Sequence, residues 1–332
     1  MPNDKVQTTQ LRPKLAESTL SVVVPCFNES AVFPLTHEKL LQVLGQGPFK
    51  LDLLYIDDGS VDGTRDLIRQ VAKEDSRVSG VFLSRNFGHQ AAVTAGLSMS
   101  DGDITVVMDA DLQDPPEIVP QMIELWRQGY DVVNAVRTKR KENWLLRLSY
   151  KLFYRIYRPM VDIEVAVDSG DFSLMDRKVV KAMNQLPEKN RFVRGLRSWV
   201  GFSSIQWQYE RQERAAGETK YSLGRLMKLA FDGIFNFSFK PLSFLLFCGA
   251  FFFAVSVLLG IMFITSRLTG LELLGQSASA VPGFTTIAIL MLFFGSVQLL
   301  SVGIVGEYLA RIYQEVKDRP TFVIESVVGK EQ

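Results

Sequence analysis

Short apolar runs alternate with amphipathic segments through the first half of the chain. The runs are rich in β-branched residues and end in turn-forming residues, which is typical of buried strands. The segments between them have the length and periodicity of helices. Strands and helices that alternate at this spacing predict a parallel sheet with right-handed crossovers. The predicted strands are Leu20–Pro25, Leu51–Ile56, Val78–Leu83, Ile104–Met108 and Asp131–Val136.

Polar clusters follow the first four predicted strands. PCFNE begins at Pro25, DDGSVDGT at Asp57, SRNFGH at Ser84 and DADLQD at Asp109. The carboxyl ends of parallel strands share one edge of a sheet, and open α/β sheets bind their ligands there. Each cluster alone is ordinary turn chemistry, because Asp, Asn, Gly and Ser are the usual turn residues. Together the four clusters predict a single crevice.

The fourth cluster contains oxygen ligands for a metal ion. Asp109 and Asp111 are carboxylates one residue apart, and Gln113 adds an amide carbonyl. Mg²⁺ and Mn²⁺ prefer such ligands and normally share them with substrate phosphates. The alternative is a solvated acidic turn, which is the usual explanation of a lone DxD motif. The other clusters at the same sheet edge favour the metal site.

Two long apolar stretches near the C-terminus predict membrane spans. Residues 242–265 and 281–306 contain no charged residue, and each exceeds the roughly 20 residues that a bilayer core requires. The connector between them carries only Arg267 and Glu272, whereas several basic residues flank the outer ends. By the positive-inside rule, the spans form a hairpin with both termini in the cytoplasm. The alternative is a pair of buried core helices.

Two further segments have the pattern of helices at the membrane surface. Between residues 143 and 160, aromatic and aliphatic residues recur at helical spacing beside a row of basic residues. This pattern fits a helix in the headgroup layer or an amphipathic helix packed on the domain, and the downstream spans favour the membrane. A second amphipathic helix is predicted within residues 223–240, directly before the first span.

Composition narrows the chemistry. The 332-residue chain has a formal net charge of +1, which gives no indication of a nucleic-acid partner. Cys26 and Cys248 lie at a strand end and in a predicted span, which makes a disulfide framework implausible. His37 and His89 are the only histidines. They lie in no ligand-like spacing, which makes a histidine metal site or a catalytic triad implausible.

Residues 1–18 are polar, lack a signal-peptide core and are predicted to be a disordered leader.

Longer motifs run from about Ser21 to Pro320 and cover almost the whole chain. They are VVVPCFNE, DDGSVDGT, LSRNFGHQAAVTAGL, DADLQDPPE, VDSGDFSLMDR, GETKYS and GEYLARIYQEVKDRP. In these motifs the sequence resembles the family 2 inverting glycosyltransferases with a GT-A fold. More narrowly, it resembles the polyprenyl-phosphate glycosyltransferases, which include dolichyl-phosphate mannose synthases and bacterial undecaprenyl-phosphate glucosyltransferases.

The resemblance implies a domain organisation. An α/β domain of GT-A type, with a Rossmann-like, mixed and mostly parallel sheet, would occupy residues 19–222 in the cytoplasm. The amphipathic interface helices and the two-helix transmembrane hairpin, within residues 241–306, would follow it. Residues 307–332 would form a cytoplasmic tail.

The resemblance also implies roles for individual residues. The metal, Mg²⁺ or Mn²⁺, would be bound by Asp109, Asp111 and Gln113. Asp111 and Asp171 would serve catalysis, and the lipid phosphate would be bound by Arg137 and Lys220, with Arg194 and Arg197 as weaker candidates. His89 receives no role, since the family often has Lys there. The nucleotide sugar would be bound by Pro25, Phe27, Asn28, Glu29, Asp57, Asp58, Ser60, Arg85 and Asp109.

Asp171 matches the aspartate that lies near the reacting sugar in the family, where its proposed role is that of catalytic base. A phosphate monoester has a second pKa of about 6, so it is already largely anionic at neutral pH. Such a nucleophile needs positioning more than deprotonation. We therefore expect Asp171 to orient the sugar or a basic partner, and the alternative is an ordinary N-cap or turn aspartate. Relatives commonly have Arg where Ser173 stands, which puts an anion-binding role at that position in doubt.

The expected reaction moves one hexose to undecaprenyl phosphate on the cytoplasmic face of a bacterial inner membrane, with inversion to a β-linked product. The overall pattern leans toward UDP-glucose as the donor. GDP-mannose or a UDP-aminosugar is the alternative donor, and a non-catalytic nucleotide-binding scaffold is the alternative function. The chain lacks the QxxRW motif and further spans of a processive polysaccharide synthase. Relatives can assemble as oligomers, so a homo-oligomer stays open.

Overall fold

The computed structural model describes residues 12–137, 169–189, 191–209 and 283–329, and individual positions between 242 and 265. The chain divides into two compact units. The first contains an eight-stranded sheet with its helices, and the second contains a long apolar helix. The predicted surface helices at 143–160 and 223–240 lie outside the described residues, as does Lys220.

The sheet unit follows the predicted alternation of strands and helices. Its first five strands match the five predicted strands to within one residue at each end, so those predictions are confirmed. The strands are β1 (Thr19–Cys26), β2 (Lys50–Asp57), β3 (Val78–Leu83), β4 (Ile104–Val107), β5 (Val132–Arg137), β6 (Ser169–Asp176), β7 (Ser204–Tyr209) and β8 (Ile324–Val328). The helices are α1 (Phe33–Leu44), α2 (Thr64–Glu74), α3 (His89–Met99), α4 (Val119–Arg127), α5 (Arg177–Asn184) and α6 (Val193–Trp199), with 3-10 turns at Leu15–Glu17 and Pro116–Ile118.

The sheet is mixed and mostly parallel, as predicted. Its strand order is β7-β5-β6-β4-β1-β2-β3-β8. Strand β1 pairs in parallel with β2 on one side and with β4 on the other, so the direction of progress across the sheet reverses between β1 and β4. A crevice forms outside the carboxyl ends of the strands at such a switch point.

The central strands are buried on both faces. Every residue of β1 from Leu20 to Cys26 is buried, and Val22 lies between Leu53 of β2 and Val106 of β4. Parallel strands covered by helices on both faces require such continuous apolar runs. The apolar runs were therefore a reliable signal for this part of the sheet.

Strand β6 was not predicted as a strand. It runs antiparallel between β4 and β5 and contains Asp171, so the alternative that Asp171 is a helix N-cap is wrong. The N-cap lies five residues later, where the Asp176 side chain accepts a hydrogen bond from the Lys178 N–H at 3.0 Å. Antiparallel pairing with two partners holds β6 in place, and short-range patterns do not encode that pairing.

The predicted C-terminal tail is largely structured. Helix α7 (Gly283–Val316) continues past the predicted end of the span at residue 306. An i,i+4 pair between Glu307 and Arg311, at 2.9 Å, supports the added turns. Strand β8 then pairs antiparallel with β3 and forms the edge of the sheet.

The second unit exposes apolar residues. Among the described residues, one stretch, Phe293–Val316, is long and apolar enough to cross a bilayer, and none of it is buried. Every described position between 242 and 265 is helical. Phe252 lies edge-on to Phe293 and Phe294, with ring centroids 5.8 Å apart in both pairs. The two apolar segments are in contact, although only the second is described as a continuous helix, and the two-helix transmembrane hairpin is not confirmed.

Residues 12–18 of the predicted leader are ordered, so the prediction of disorder is wrong for them. Arg12 forms ion pairs with Asp131 at 2.8 Å and Asp176 at 2.6 Å. Its guanidinium also lies 4.4 Å from the ring centre of Trp126, whose indole N–H donates to Asp176 at 2.7 Å. These contacts attach the start of the chain to the far side of the sheet unit. Residues 1–11 lie outside the described part.

We expect Arg12→Ala to destabilise the sheet unit. The change leaves two poorly solvated carboxylates without their arginine, which costs about 1–3 kcal/mol and lowers Tm by about 2–10 °C. Arg127→Ala is the matched control, because Arg127 pairs with Glu124 and both side chains are more than half exposed. Thermal unfolding of the purified protein in detergent measures both variants. Equal Tm values for the two would contradict the anchoring role of Arg12.

Candidate active site

Four loops follow the carboxyl ends of β1, β2, β3 and β4. We name them loop 1 (residues 27–32), loop 2 (58–63), loop 3 (84–88) and loop 4 (108–115). They contain the four polar clusters of the sequence, and hydrogen bonds join them to one another and to neighbouring elements. The predicted convergence on one sheet edge is present in the structure.

Loops 1 and 2 are joined by backbone-to-side-chain hydrogen bonds. The Asn28 N–H donates to the Ser60 hydroxyl, and the Val61 N–H donates to the Asn28 side-chain oxygen, both at 2.9 Å. The Glu29 N–H donates to the Thr64 hydroxyl at 2.9 Å. Asn28 has φ of 55°, a left-handed conformation that Asn tolerates better than most residues. Asn28 and Ser60, both predicted to bind nucleotide, therefore position each other.

Asp62 adds a further link between these loops. Its carboxylate accepts hydrogen bonds from the Ser30 N–H at 3.0 Å and from the Thr64 N–H and hydroxyl at 3.1 and 2.6 Å. Burial opposes ionisation, but the hydrogen bonds from Thr64 and Ser30 outweigh it and lower the pKa of Asp62 to about 2. Asp62 belongs to the DDGSVDGT motif but was not among the predicted site residues.

Loops 2 and 3 are joined by Asp58. Its buried carboxylate accepts hydrogen bonds from the Phe87 N–H at 2.7 Å and the Gly88 N–H at 2.9 Å. Burial raises the pKa of Asp58, and these two N–H groups partly offset that rise. Gly59 lies directly against loop 3, since a Cβ on it would be 2.6 Å from the Arg85 carbonyl carbon and the Asn86 nitrogen. Asp58 thus organises the pocket in addition to being a predicted nucleotide ligand.

Asp57 lies at the end of β2 with no exposed surface. Its carboxylate accepts hydrogen bonds from the N–H groups of Gly59 and Ser60 at 3.2 Å or slightly more. Arg65 of α2 brings Nε to 2.9 Å from its Oδ2. The carboxylate therefore shapes the first turn of loop 2, and an arginine compensates its charge.

Loop 4 is attached to two separate elements. The Thr36 hydroxyl of α1 donates to the Ala110 carbonyl at 2.6 Å. The Tyr209 hydroxyl of β7 donates to the buried Asp114 carboxylate, and the Tyr209 ring lies edge-on to Phe172 with centroids 5.8 Å apart. These contacts hold loop 4 at Ala110 and at Asp114.

The same loop presents oxygen atoms for a divalent metal. Asp109 keeps 35% of its side chain exposed, and Asp111 Oδ1 accepts the Gln113 N–H at 3.1 Å. Leu112 between them has φ of 57°. Among the described residues, no group of three His, Cys, Asp or Glu side chains could hold a metal ion. The oxygen donors fit Mg²⁺ or Mn²⁺ only if a bound molecule or water supplies further ligands.

Asp171 lies at the centre of a charged cluster beside loop 4. Arg194 of α6 donates two hydrogen bonds to its carboxylate, from Nε at 2.8 Å and from the terminal nitrogen at 2.9 Å. His89, the first residue of α3, places Nε2 3.0 Å from Asp171 and 3.9 Å from Asp109. Gln90 donates to Asp171 at 3.4 Å and accepts the Val193 N–H at 2.9 Å. The cluster connects loop 4 to the start of α6.

This cluster strongly shifts the titration of its members. Burial alone would raise the pKa of Asp171, but Arg194 and His89 hold it well below its usual range. Burial opposes the charged form of His89, yet the hydrogen bond to Asp171 and the charges of Asp171 and Asp109 raise its pKa to about 9. Asp171 therefore remains an ionised hydrogen-bond acceptor at neutral pH and is a poor proton acceptor.

Arg197 lies beside Ser173. Its buried guanidinium donates to the Ser173 hydroxyl and to the carbonyls of Gly170 and Asp171, the latter two at 3.2 and 3.4 Å. Burial lowers the pKa of Arg197 to about 10, which still leaves it charged at neutral pH. Arg197 supports the backbone of β6, so its weak candidacy for a lipid phosphate finds no support in its contacts.

The structure brings together most of the predicted site residues. Phe27 and Arg85 are exposed at the sheet edge, and Arg85 lies 4.0 Å from the ring centre of Phe87. Arg137 is the last residue of β5, with its backbone opposite Tyr209, and its side chain is outside the described part. Their binding roles remain predictions. Sequence reasoning missed His89, Gln90 and Thr36, because each acts through a partner that is distant in the chain.

Comparison with known proteins identifies similar chains. A family model described as glycosyl transferase family 2 matches residues 21–183. The uncharacterized glycosyltransferase YkcC of Bacillus subtilis (strain 168) is 45% identical over 312 residues, which are 94% of each chain. The SfII prophage-derived bactoprenol glucosyl transferase of Shigella flexneri is 36% identical over 307 residues, which are 92% of this chain and 97% of the relative.

Similar solved structures are more distant. A crystal structure of glucosyl-3-phosphoglycerate synthase from Mycobacterium tuberculosis, in complex with Mn²⁺, UDP-glucose and phosphoglyceric acid, has a TM-score of 0.46 and 20% sequence identity. The similarity covers 68% of this chain and 84% of that chain. At this distance it assigns no ligand and no residue role to the present chain.

We expect Gly59→Ala to disrupt the site far more than Gly63→Ala. Both glycines have positive φ, 72° and 94°, so alanine adds similar backbone strain at each. Only at Gly59 does the new Cβ collide with the backbone of loop 3, whereas nothing lies within 4 Å at Gly63. We expect kcat/KM for the donor to fall at least ~10-fold for Gly59→Ala and less than about 3-fold for Gly63→Ala. Similar losses in steady-state kinetics would contradict the close approach of loops 2 and 3.

Proposed function

The chain belongs to glycosyltransferase family 2, and we propose that it transfers glucose from UDP-glucose to polyprenyl phosphate at the cytoplasmic face of a bacterial membrane, with inversion. Relatives named as bactoprenol glucosyl transferases support the sugar and the lipid. The single structural observation that carries the proposal is the series of contacts from Asp109 through His89 and Asp171 to Arg194. A carboxylate suited to a metal and a guanidinium suited to a phosphate thus belong to one series of contacts.

The donor nucleotide fits loops 1 to 3. Phe27 exposes an aromatic ring on loop 1, where a base can stack against it. Hydrogen bonds between the loops hold the Asn28 backbone and the side chains of Asp58 and Ser60 in place. A pocket fixed before binding loses less entropy when the ligand enters. Arg85 is exposed on loop 3, and its planar guanidinium suits a diphosphate.

The metal fits loop 4. Asp109, Asp111 and Gln113 would bind Mg²⁺ or Mn²⁺ through oxygen atoms and leave the remaining positions to the diphosphate and water. When bound, such an ion neutralises the negative charge that develops on the departing diphosphate. The hydrogen bonds from Thr36 and Tyr209 keep this loop in place.

The transfer itself needs no base from the protein. An oxygen of the acceptor phosphate forms a bond to the anomeric carbon while the bond from that carbon to the diphosphate breaks, and UDP leaves with the electron pair. The acceptor is largely deprotonated at neutral pH, since its second pKa is about 6. Asp171 is held by Arg194 and His89 with a strongly lowered pKa, which suits an orienting role. We therefore assign Asp171 the task of fixing Arg194, whose side chain is 28% exposed, for the acceptor phosphate.

The lipid acceptor agrees with the second unit. Exposed apolar residues cover helix α7, and water strongly disfavours a continuous apolar surface of this length. Contacts of Phe252 with Phe293 and Phe294 are those expected of two neighbouring spans. We propose that residues 242–265 and α7 form a transmembrane hairpin with both chain ends in the cytoplasm. Arg137, Lys220 and the helix at 143–160 are proposed to meet the lipid at the membrane surface.

A transfer assay tests the reaction. Membranes that contain the protein are incubated with labelled UDP-glucose, undecaprenyl phosphate and Mn²⁺ or Mg²⁺, and we expect a labelled glycolipid that EDTA abolishes. Asp111→Asn is expected to lower the yield at least ~100-fold, because it removes a metal ligand. Asp101→Asn, at the amino end of β4, is the matched control and should leave the yield unchanged.

Other outcomes of this assay identify the alternatives. Product from GDP-mannose or a UDP-aminosugar, with none from UDP-glucose, would replace the donor. Nucleotide binding without product from any donor would indicate a scaffold. Product formation that EDTA does not affect would contradict the metal site.

A double-mutant cycle tests the role of Asp171. We expect Asp171→Asn to lower turnover about 10- to 100-fold through misplacement of Arg194, and Asp171→Asn with Arg194→Gln to be no worse than the poorer single variant. Since the pKa of Asp171 lies well below its usual range, its protonation should cause no loss of wild-type activity between pH 5 and 8. Additive losses, or an acidic limb of the pH profile that Asp171→Asn removes, would show instead that Asp171 is the base.

A further inference from the structure

We infer that the C-terminal strand β8 belongs to the donor site, with Arg65 and Glu325 as positioning residues that hold Asp57 and thereby loop 2. The inference rests on the proposed function for its assumption that loops 1 to 3 bind a nucleotide. Strand β8 follows the apolar helix α7, in a segment for which the sequence predicted only a tail. The inference gives this segment a function.

Asp57 has no exposed surface. An ionised carboxylate in such a place requires partners, because its loss of hydration is costly. Its hydrogen bonds from the Gly59 and Ser60 N–H groups shape loop 2, and the Ser60 hydroxyl in turn accepts the Asn28 N–H of loop 1. A shift of Asp57 would therefore move two of the loops proposed to bind the nucleotide.

Arg65 compensates the charge of Asp57. Its Nε lies 2.9 Å from Asp57 Oδ2 but makes no hydrogen bond to any described residue, so this contact is an ion pair that depends on where the guanidinium is held. One terminal nitrogen of the guanidinium is fixed by the Leu83 carbonyl at 3.1 Å and by Glu325 Oε2 at 2.5 Å. The guanidinium also lies 5.4 Å from the ring centre of Phe82. Strands β3 and β8 thus set the position of Arg65.

Strand β8 reaches two of the loops of the site. It pairs with β3, with Val327 opposite Val81 and Ile324 opposite Leu83. Just before it, the Val323 carbonyl accepts the N–H of Ser84, the first residue of loop 3, at 3.0 Å. The residue before the strand therefore contacts loop 3 directly, and the strand influences loop 2 through Glu325 and Arg65. The connection from α7 is short, since only residues 317–323 separate the helix from the strand.

An ordinary surface ion pair is the competing explanation for Glu325, whose side chain is 49% exposed. Such pairs contribute little to stability. The Glu325–Arg65 pair differs from an ordinary surface pair, because Arg65 is also paired with Asp57, a fully buried carboxylate directly before loop 2. Loss of Glu325 should therefore change nucleotide affinity more than it changes folding.

The test compares full-length Glu325→Gln with wild type in detergent. Wild type is first titrated with UDP and with GDP in the presence of Mn²⁺, and the nucleotide that binds more tightly is used for every variant. We expect Glu325→Gln to weaken nucleotide binding and raise the donor KM about 2- to 5-fold, with unchanged kcat and acceptor KM. Asp66→Asn on α2 is the matched control, since Asp66 is 86% exposed and pairs only loosely with Arg69. Asp66→Asn should have the nucleotide affinity and the donor KM of wild type.

A second cycle shows whether Glu325 acts through Arg65. Lysine at position 65 keeps the charge near Asp57 but cannot bridge Leu83 and Glu325 as the guanidinium does. We expect Arg65→Lys to weaken binding about as much as Glu325→Gln, and the double variant to be no weaker than either. Additive losses would overturn the proposed route through Arg65.

Hydrogen exchange gives a readout that a purely structural role would not change. Coupling between two sites is reciprocal. If β8 strengthens nucleotide binding, a bound nucleotide must therefore stabilise β8. We expect nucleotide to slow exchange of the amides of Ile324–Val328 in wild type and to have at most half that effect in Glu325→Gln, roughly in proportion to the lost coupling. Equal protection in both proteins would overturn the inference, as would unchanged affinity of Glu325→Gln.

The inference and the proposed function can fail separately. A wild type that makes glycolipid while Glu325→Gln binds nucleotide normally contradicts only the role of β8. A wild type that binds nucleotide but forms no glycolipid contradicts the proposed reaction, and the variants still decide the role of β8. Binding of neither nucleotide would contradict both.

Discussion

Buried carboxylates at one edge of the sheet must be compensated, and this requirement organises the whole site. An ionised carboxylate removed from water costs several kcal/mol unless it is paired or hydrogen-bonded. Each one here obtains its partners from a different part of the chain. Asp57 uses Arg65, Asp58 uses the backbone of loop 3, Asp114 uses Tyr209, and Asp171 uses Arg194 and His89. The pairings hold the four loops and α6 in one arrangement.

This requirement divides the acidic residues into two groups. The buried group positions the loops, and each of its carboxylates already has a partner within the protein. Asp109, just after β4, keeps a partly exposed side chain, as its proposed role as a metal ligand requires. By its contacts, Asp171 belongs to the buried group that positions the loops. Its place in the family motif had instead suggested a direct part in catalysis. The contacts with Arg194 and His89 lower the pKa of Asp171. We therefore assign Asp171 an orienting role and not the role of a proton acceptor.

The topology places the C-terminal segment where it can influence the same loops. Strand β3 would otherwise be the edge of the sheet, with unpaired backbone groups beside loop 3. Strand β8 pairs with those groups and also brings Glu325 to Arg65. A segment that follows an apolar helix thereby contributes to the structure of a pocket formed by residues near the start of the chain. This arrangement brings segments from both ends of the chain into one unit.

The sequence by itself determined the central sheet and the loops that carry the polar clusters. Continuous β-branched runs specify β1, β2 and β3, because a strand covered on both faces needs apolar residues at every position. The clusters after these strands followed from the parallel topology, which brings carboxyl ends to one edge. Family motifs added the expected roles of Asp109, Asp111 and Asp171. All of these signals are short-range patterns of residue type, so a single sequence contains them.

Only the tertiary structure decided the partners of the charged residues. Arg12 meets Asp176, His89 meets Asp171, and Arg65 meets Glu325, across 164, 82 and 260 residues of sequence. The same applies to β6 and β8, whose antiparallel pairings depend on strands formed elsewhere in the chain. The physical reason is that an ion pair or a strand pairing requires proximity, and proximity between distant segments is set by the folded path of the whole chain. Local sequence sets which groups need a partner, and the fold determines which partner each group receives.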